Sequence, residues 1–245
     1  MHRRLVISAV TVALCGSTLA GTATSASATT EDATTTAAAV DCRRVKCVAL
    51  TFDDGPVADT QRLLRILKER NVQVTFYLVG KNVQRYPSTV RTAAAAGHQI
   101  GNHSWDHADL TRLSSAAVKS NIARADTAIK RATGKKPTTF RAPYGAQNAT
   151  VRAAAARPLV HWSVDTLDWK YRDTARLIRV VKADTRPGDI VLMHDIHKTT
   201  VDAVPGIING LKARGFHFVT VDQLFAPNRL PSGKVTYHNR AAYRP

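Results

Sequence analysis

Two adjacent carboxylates near the start of the chain are the first candidates for chemistry. Asp53 and Asp54 follow an apolar run, Val48–Phe52, and precede Gly55-Pro56, which is a turn signal. Because neighbouring residues on an extended chain point to opposite sides, we expect two tasks: one carboxylate holds a cation and the other moves a proton. A polar turn without chemistry is the alternative interpretation of the same residues.

Two imidazoles offer further metal ligands. His103 and His107 lie four residues apart and would face the same way if the segment turned helically, an arrangement that suits a divalent cation. Other polar or ionisable residues also follow apolar runs: Arg141, Tyr144, Asp165, Asp168, His194 and Asp195. Such residues meet in one cleft when the runs are parallel strands of one sheet.

The elements that must position these residues alternate along the chain. We predict strands at 48–52, 72–79, 99–102, 138–141, 160–164, 189–193 and 216–221, and helices at 59–69, 87–96, 115–133, 149–156, 174–185 and 201–214. This alternation predicts an α/β fold with parallel strands joined by crossover helices. A barrel and an open doubly wound sheet both agree with it, and each places the functional edge at the carboxyl ends of the strands.

Five motifs, taken in order, resemble those of a known enzyme family. They are Thr51-Phe-Asp-Asp-Gly-Pro56, His103-Ser-Trp-Asp-His107, Arg141-Ala-Pro-Tyr144, Asp165-Thr-Leu-Asp-Trp169 and Leu192-Met-His194. Together they resemble the polysaccharide deacetylases of carbohydrate esterase family four. The resemblance implies a distorted (β/α) barrel of about seven parallel strands forming a single catalytic domain. It also implies one divalent metal ion, usually zinc, and hydrolysis of acetyl groups on sugars, although cobalt or nickel would also suit the ligands.

The resemblance also assigns roles to individual residues. It implies that Asp54, His103 and His107 bind the metal, that Asp53 is the base paired with Arg141, and that His194 is the acid oriented by Asp168. The segment of Pro143 and Tyr144 would bind substrate, with the Tyr144 N–H stabilising the oxyanion. Trp169 and Leu192 would line the pocket for the acetyl methyl group. By residue type alone, Trp169 and Leu192 could equally be core residues.

The N-terminal residues have the pattern of a processing signal. Residues 1–28 contain a cationic start at Arg3 and Arg4, an apolar run at 5–15 and a small-residue cleavage site at 26–28, which together predict a signal peptide. We expect residues 29–40 to be a disordered linker, 41–227 the deacetylase domain and 228–245 a tail of unassigned role. Export to an oxidising compartment favours a disulfide between Cys42 and Cys47.

The net charge of the 245-residue chain is +17, which favours anionic partners. Export argues against a nucleic-acid partner, so we expect a secreted enzyme, a monomer without a stable membrane anchor, that acts on an acetylated cell-wall polymer. Peptidoglycan is the leading substrate, since it carries carboxylates. Acetylated xylan and chitin oligomers are the alternatives, and a metal-free carbohydrate-binding module is the alternative from another class.

Overall fold

The computed structural model describes residues 40–226, 228 and 230–244, together with residues 11 and 13. The predicted signal peptide and linker therefore lie outside the described residues, apart from residues 11, 13 and 40. Ala39–Pro245 forms one compact unit. Its strands, in chain order, are β1 (Lys46–Asp53), β2 (Thr75–Leu78), β3 (Gln99–Asn102), β4 (Leu159–Val160), β5 (Val164–Asp165), β6 (Asp189–His194), β7 (Phe216–Phe218) and β8 (Val235–Thr236).

Helices connect the strands, as the alternating sequence pattern predicts. They are α1 (Ala58–Glu69), α2 (Gly80–Arg85), α3 (Pro87–Ala95), α4 (Ser115–Thr133), α5 (Ala149–Ala155), α6 (Asp168–Tyr171), α7 (Thr174–Asp184), α8 (Lys198–Ala213) and α9 (Val221–Leu224). The longest, α4, begins at the cap Ser114, whose side chain accepts the Ala117 N–H, and ends at the left-handed Gly134. Among the described residues, no helix combines the length and apolar character needed to cross a bilayer.

The first strand is the centre of the sheet. β1 pairs in parallel with β6 along 48–53, and on its other side it pairs with β7 at 46–48 and with β2 at 51–53. The strand order β3-β2-β1-β6-β5 follows, with all of these pairs parallel. The carboxyl ends of β1, β3 and β6 therefore meet at one edge, where their motifs lie.

Both faces of β1 are covered, which explains its unbroken apolar sequence. Val48, Leu50 and Phe52 join a core cluster with residues of the surrounding helices. Ala49 instead packs in a second cluster with Ile190 of β6. Because side chains alternate along a strand, odd-numbered positions of β1 face the barrel interior.

Isolated bridges connect the main sheet to a second, two-stranded sheet. β4 pairs with β8, and Phe140 bridges Asn102 of β3 on one side and Leu159 of β4 on the other. His238 then bridges Asp189 of β6. The strands thus close into an irregular barrel, in agreement with the predicted distorted (β/α) barrel.

Three of the seven predicted strands were wrong in detail. Residues 138–141 form only the two isolated bridges at Phe140, and 160–164 is split into β4 and β5. The predicted strand 216–221 ends at Phe218, and Val221 already belongs to α9. In the 160–164 segment, the buried guanidinium of Arg141 binds the carbonyl oxygens of Val160 and His161, so these two acceptors are not available to continue the β4 ladder. The helices α2, α6 and α9 and the strand β8 were not predicted.

The C-terminal tail, whose role the sequence left open, packs along the barrel. β8 supplies the partner of β4, and the Asn239 side chain donates to the Leu224 carbonyl at 2.7 Å. Arg240 pairs with the fully buried Asp189 at 2.6 Å. Near the N-terminal end of the domain, the predicted Cys42–Cys47 disulfide is present and links the turn before β1 to the second residue of that strand.

Candidate active site

A buried ion pair fixes the first of the two carboxylates. Asp53 is the last residue of β1 and faces the barrel interior, where its Oδ1 accepts from Arg141 Nη1 at 2.7 Å. Arg141 is fully buried, and its other donors bind the Thr51 hydroxyl and the carbonyl oxygens of Val160 and His161. A buried guanidinium with all these partners is rigid, so the Asp53 carboxylate is held in one position.

The second carboxylate turns out of the strand geometry. Asp54 has a left-handed backbone, with φ of 74°. Its carboxylate faces His103, whose imidazole also approaches Asp53. His103 Nε2 lies 3.7 Å from Asp53 Oδ2 and 3.4 Å from Asp54 Oδ1. The expectation that the two acids point to opposite sides was therefore wrong in geometry, because Asp54 is not extended. The two carboxylates share His103 as a neighbour, but only Asp53 pairs with Arg141 and only Asp54 lies beside His107.

The two imidazoles are brought together by a loop and not by a helical turn. Ser104 and His107 both have positive φ, at 69° and 59°, so the segment after β3 cannot be helical. Side chains hold this loop: Asn102 accepts the Ser104 N–H at 2.7 Å, and the Ser104 hydroxyl accepts the His107 N–H at 2.9 Å. The helical turn that was expected to bring His103 and His107 together is not formed, but the two rings still lie close, with centroids 5.0 Å apart.

Asp54, His103 and His107 offer three ligand atoms that lie within 4.8 Å of one another. His103 Nδ1 is 2.7 Å from the carbonyl oxygen of Arg141, which can only accept, so that nitrogen carries the proton and Nε2 is left to face Asp54. Asp54 Oδ1 is buried, 3.4 and 3.3 Å from the two Nε2 atoms, without a hydrogen-bond partner among the described residues. One carboxylate and two imidazoles in this arrangement suit a divalent metal ion.

The charge balance of this cluster supports the same conclusion. Burial acts to lower the pKa of His103, but the carboxylates of Asp53 and Asp54 raise it above its ordinary value. A positive charge is therefore favoured between these groups, either as a proton or as a cation. His107, which is less enclosed by acids, has a lowered pKa because of burial and the neighbouring His103.

A histidine–aspartate pair lies at the end of the neighbouring strand. His194 ends β6, and its Nδ1 is 2.8 Å from Asp168 Oδ1 at the start of α6. Burial acts to lower the pKa of His194, but the Asp168 carboxylate outweighs it and raises this pKa to about 9. His194 is therefore protonated at neutral pH, as an acid must be.

These groups line one cleft of about 410 Å³. Its lining includes the predicted residues Asp53, Asp54, His103, His107, Tyr144, Trp169, Leu192 and His194. Arg141 and Asp168 lie behind this lining, buried against the residues that they orient. Pro143 is buried in the turn before Tyr144 and is not part of the lining.

Three predicted substrate-binding residues differ in exposure. Leu192 is 4% exposed, whereas Trp169 is 50% and Tyr144 69% exposed, so the last two are not core residues. Tyr144 has a left-handed backbone with φ of 60°, and its ring lies 4.5 Å from that of His107. An aromatic ring that is open to solvent beside a polar cleft can stack on a sugar.

Several residues that support the site were given no role by the sequence analysis. Thr51 binds Arg141, and the Thr200 hydroxyl donates to Asp168 Oδ2 at 2.7 Å. Trp162 contributes to the cleft lining, and Asp195 lies fully buried beside Gly55 with a hydrogen bond from Thr60. Burial raises the pKa of Asp195 to about 7. Asp195 was already noted as an ionisable residue after an apolar run, and Trp162 carried a signal as an aromatic residue between two short apolar runs; a core threonine has none.

Unusual backbone conformations concentrate at this edge. Most non-glycine residues with positive φ in the described part of the chain belong to the five motifs, namely Asp54, Ser104, His107, Tyr144 and Leu167. Such conformations cost about 1–3 kcal/mol each and persist where the surroundings enforce them, typically at functional sites. A possible metal site, a fixed carboxylate and a fixed imidazole around one cleft are together typical of hydrolases that use a metal ion.

Comparison with known proteins agrees with this class. Residues 41–158 match the model of the polysaccharide deacetylase family. The peptidoglycan-N-acetylglucosamine deacetylase PgdA of Listeria monocytogenes is 44% identical over 190 residues, which are 77% of this chain and 41% of that protein. The chain thus spans about two fifths of the length of this curated relative.

Solved structures cover the domain more completely. The structure described as T48 deacetylase with substrate is 46% identical, with a TM-score of 0.79 over 81% of this chain and 100% of its own. A family 4 acetyl xylan esterase from Clostridium thermocellum, in complex with a cobalt ion, is 32% identical, with a TM-score of 0.75 over 79% of this chain and 98% of its own. This chain belongs to the polysaccharide deacetylase family, that is, to the family 4 carbohydrate esterases.

Proposed function

We propose that the protein is a secreted, metal-dependent deacetylase that removes N-acetyl groups from N-acetylglucosamine residues of peptidoglycan. The observation that carries the proposal is that Asp53 and His194 line the same cleft as the three-ligand cluster of Asp54, His103 and His107. The family supports the reaction class, and the PgdA relative supports the substrate. Export rests on the signal pattern in residues 1–28.

Asp54, His103 and His107 would hold the metal ion. When bound, a divalent cation supplies a Lewis acid that lowers the pKa of a water molecule and polarises the acetyl carbonyl. We propose zinc, with cobalt or nickel as alternatives, because an Asp-His-His set suits all three.

Asp53 would take the proton of the attacking water. Its Oδ1 is engaged by Arg141, so Oδ2 is the oxygen left to face the cleft. The rigidity of the Asp53–Arg141 pair suits this role, because a general base must stay within hydrogen-bond distance of the proton it removes. The Tyr144 N–H is the proposed donor to the developing oxyanion.

His194 would give a proton to the leaving nitrogen. Its Nδ1 proton is bound by Asp168, so Nε2 is the atom that can deliver a proton into the cleft. Amine leaving groups require this protonation, and the raised pKa keeps the acid form populated at neutral pH. Leu192 and Trp169 would confine the acetyl methyl group beside it.

The charge of the protein supports a cell-wall substrate over chitin. Peptidoglycan carries carboxylates, whereas deacetylated chitin is cationic and would be repelled by a strongly basic protein. Acetylated xylan is the second candidate, because the cobalt-bound relative is an acetyl xylan esterase.

A substrate panel tests the proposal. Acetate release would be measured from peptidoglycan, chitin oligomers and acetylated xylan, with and without a chelator, followed by readdition of zinc, cobalt or nickel. We expect peptidoglycan to give the highest kcat/KM, chelation to abolish release and metal to restore it. Preference for xylan would shift the assignment to an O-deacetylase, and undiminished activity after complete metal removal would refute the metal role. Absence of acetate from every substrate would favour a carbohydrate-binding module.

A further inference from the structure

A second concave surface lies on the other side of the loop that carries His103 and His107. It is a groove of about 640 Å³ between the α2–α3 segment and α4. Nothing in the proposed deacetylation uses it. We call it the arginine groove after Arg91, Arg124 and Arg131, which line it together with apolar residues.

The three arginines give the groove a uniform positive charge. All three are exposed, and among the described residues none of them lies within ion-pair distance of a carboxylate. The acids nearby are already engaged, since Asp106 pairs with Lys81 and Asp126 with Arg157. Unpaired guanidinium groups are suited to bind carboxylate or phosphate oxygens.

The arrangement of the charges suits an extended ligand. Arg124 and Arg131 lie seven residues apart on α4, which is two helical turns or about 10.5 Å along one face. Arg91 approaches from α3 on the opposite wall. A chain lying along α4 would therefore meet cations on both sides.

The floor of the groove favours a peptide over a plain polyanion. It consists of Val83, Pro87, Trp105, Ala123, Ala128 and Ala132, and Arg124 stacks on the Trp105 ring at 4.2 Å. A phosphodiester polymer would gain from the charges alone, whereas a peptide with carboxylates and small apolar side chains would also bury methyl groups against this floor.

The groove is close enough to the cleft to take part of the same substrate. Trp105 lies two residues from each of His103 and His107, so the groove and the metal cluster share one loop. The loop is also tied to α2, because Gly80 and Lys81 donate to the Ser104 and Trp105 carbonyl oxygens at 2.9 Å. An extended peptide of four or five residues spans roughly 13–18 Å and can run from a sugar in the cleft past this loop.

We propose that the arginine groove binds the acidic peptide stems of the glycan whose sugars occupy the cleft. The inference rests on the proposed peptidoglycan substrate and adds a second recognition site to it. The groove would thereby select peptide-bearing strands over bare N-acetylglucosamine polymers.

The test compares two triple variants of equal charge change. One is Arg91→Gln, Arg124→Gln, Arg131→Gln, and the control is Arg44→Gln, Arg65→Gln, Arg179→Gln, whose residues are exposed on other parts of the surface. Acetate release is measured on peptidoglycan strands with stems, on the same strands after enzymatic removal of the stems, and on chitin oligomers. We expect the groove variant to lose about 5- to 50-fold in kcat/KM on stem-bearing strands, mainly through KM, as three exposed ion pairs would give.

The substrates without stems control for damage to the loop that carries His103 and His107. The groove variant should act on them as the wild type does, and the control variant should act normally on all three. Equal loss with and without stems, no loss on either, or the same loss in the control variant would overturn the proposal.

Direct binding separates this proposal from the proposed function. Anisotropy of a labelled stem peptide at low salt should show binding to the wild type and the control variant and none to the groove variant, even if no acetate is released from any substrate. Stem peptide that fails to bind, or inorganic polyphosphate that binds in its place and depends on the three arginines, would overturn the peptide assignment.

Discussion

At the residue scale, both proposed proton-transfer groups depend on buried partners. Arg141 fixes Asp53, and Asp168 fixes His194 while also accepting from the Thr200 hydroxyl and the His194 N–H. Buried charges of this kind require complete hydrogen bonding, since any unmatched partner is costly. Substitutions that keep the shape of a side chain and remove its charge therefore test the proposed roles of Asp53 and His194.

Asp53→Asn removes the proposed base without a change in size. We expect turnover to fall by about 10²- to 10⁴-fold, the usual contribution of a general base. Metal content should stay near that of the wild type, because Asp54, His103 and His107 are unchanged. Steady-state kinetics and elemental analysis measure the two effects, with the exposed Asp184→Asn as the control. Full activity in Asp53→Asn would remove this residue as the base.

Asp168→Asn tests the acid through its pH dependence. The Asp168 charge raises the pKa of His194 to about 9, so its loss must lower that pKa and deprotonate His194 at lower pH. The alkaline limb of the kcat/KM profile should accordingly move to lower pH. Thr200→Val keeps the charge while it removes one hydrogen bond, so its limb should move less. An unmoved limb in Asp168→Asn would exclude His194 as the group that this limb reports.

At this scale, the sequence predicted which residues lie together in the site, but it did not predict the backbone conformations that bring them together. The resemblance of the five motifs assigned the proposed ligands, base and acid, and the structure brings these residues together around one cleft. The left-handed conformations of Asp54 and His107 were not predictable, because only the assembled site stabilises them. Thr51 and Thr200 were missed because a threonine in a strand or helix looks like any other core residue.

At the element scale, the predicted bounds of strands and helices are accurate where the hydrophobic pattern determines the element. They are inaccurate where buried polar contacts determine it. β1, β3, β6, α4 and α7 match their predicted positions closely. The 160–164 segment is broken because Arg141 needs two of its carbonyl oxygens. A buried polar contact between distant segments leaves no mark in local periodicity.

Arg240→Met tests the contribution of the tail to the barrel. Asp189 is fully buried and accepts from Arg240, from the Ser163 hydroxyl and from the Arg186 N–H. Loss of the guanidinium leaves two of these three partners, so we expect a loss of about 1–2 kcal/mol in the free energy of unfolding. Denaturant melts would measure it against Arg244→Met, which should be close to the wild type. Equal stability of both variants would mean that the ion pair does not hold the tail.

At the scale of the whole molecule, the three proposed metal ligands link separate parts of the barrel. Asp54 follows β1, and the two histidines follow β3, so a bound ion favours the folded state over the unfolded one. Zinc at about one hundred times its Kd should add about 2.7 kcal/mol, which is roughly 5–10 °C in Tm for a domain of this size.

Two variants make this thermal shift specific. Asp54→Asn should abolish it, whereas Asp53→Asn should retain most of it, because Asp53 is paired with Arg141 and is not a proposed ligand. Differential scanning calorimetry with added metal gives the readout without any substrate. A shift of the same size in all three proteins would place the ion elsewhere.

The order of the strands along the chain has a consequence for assembly. β1 is made early, yet its longest pairing is with β6, about 140 residues later, and β7 and the bridge from His238 come later still. Contacts so distant in sequence form slowly, since the intervening chain must first be closed into a loop. The barrel therefore cannot close until β6 and β7 have been synthesised, so the chain reaches its final fold only late in translation.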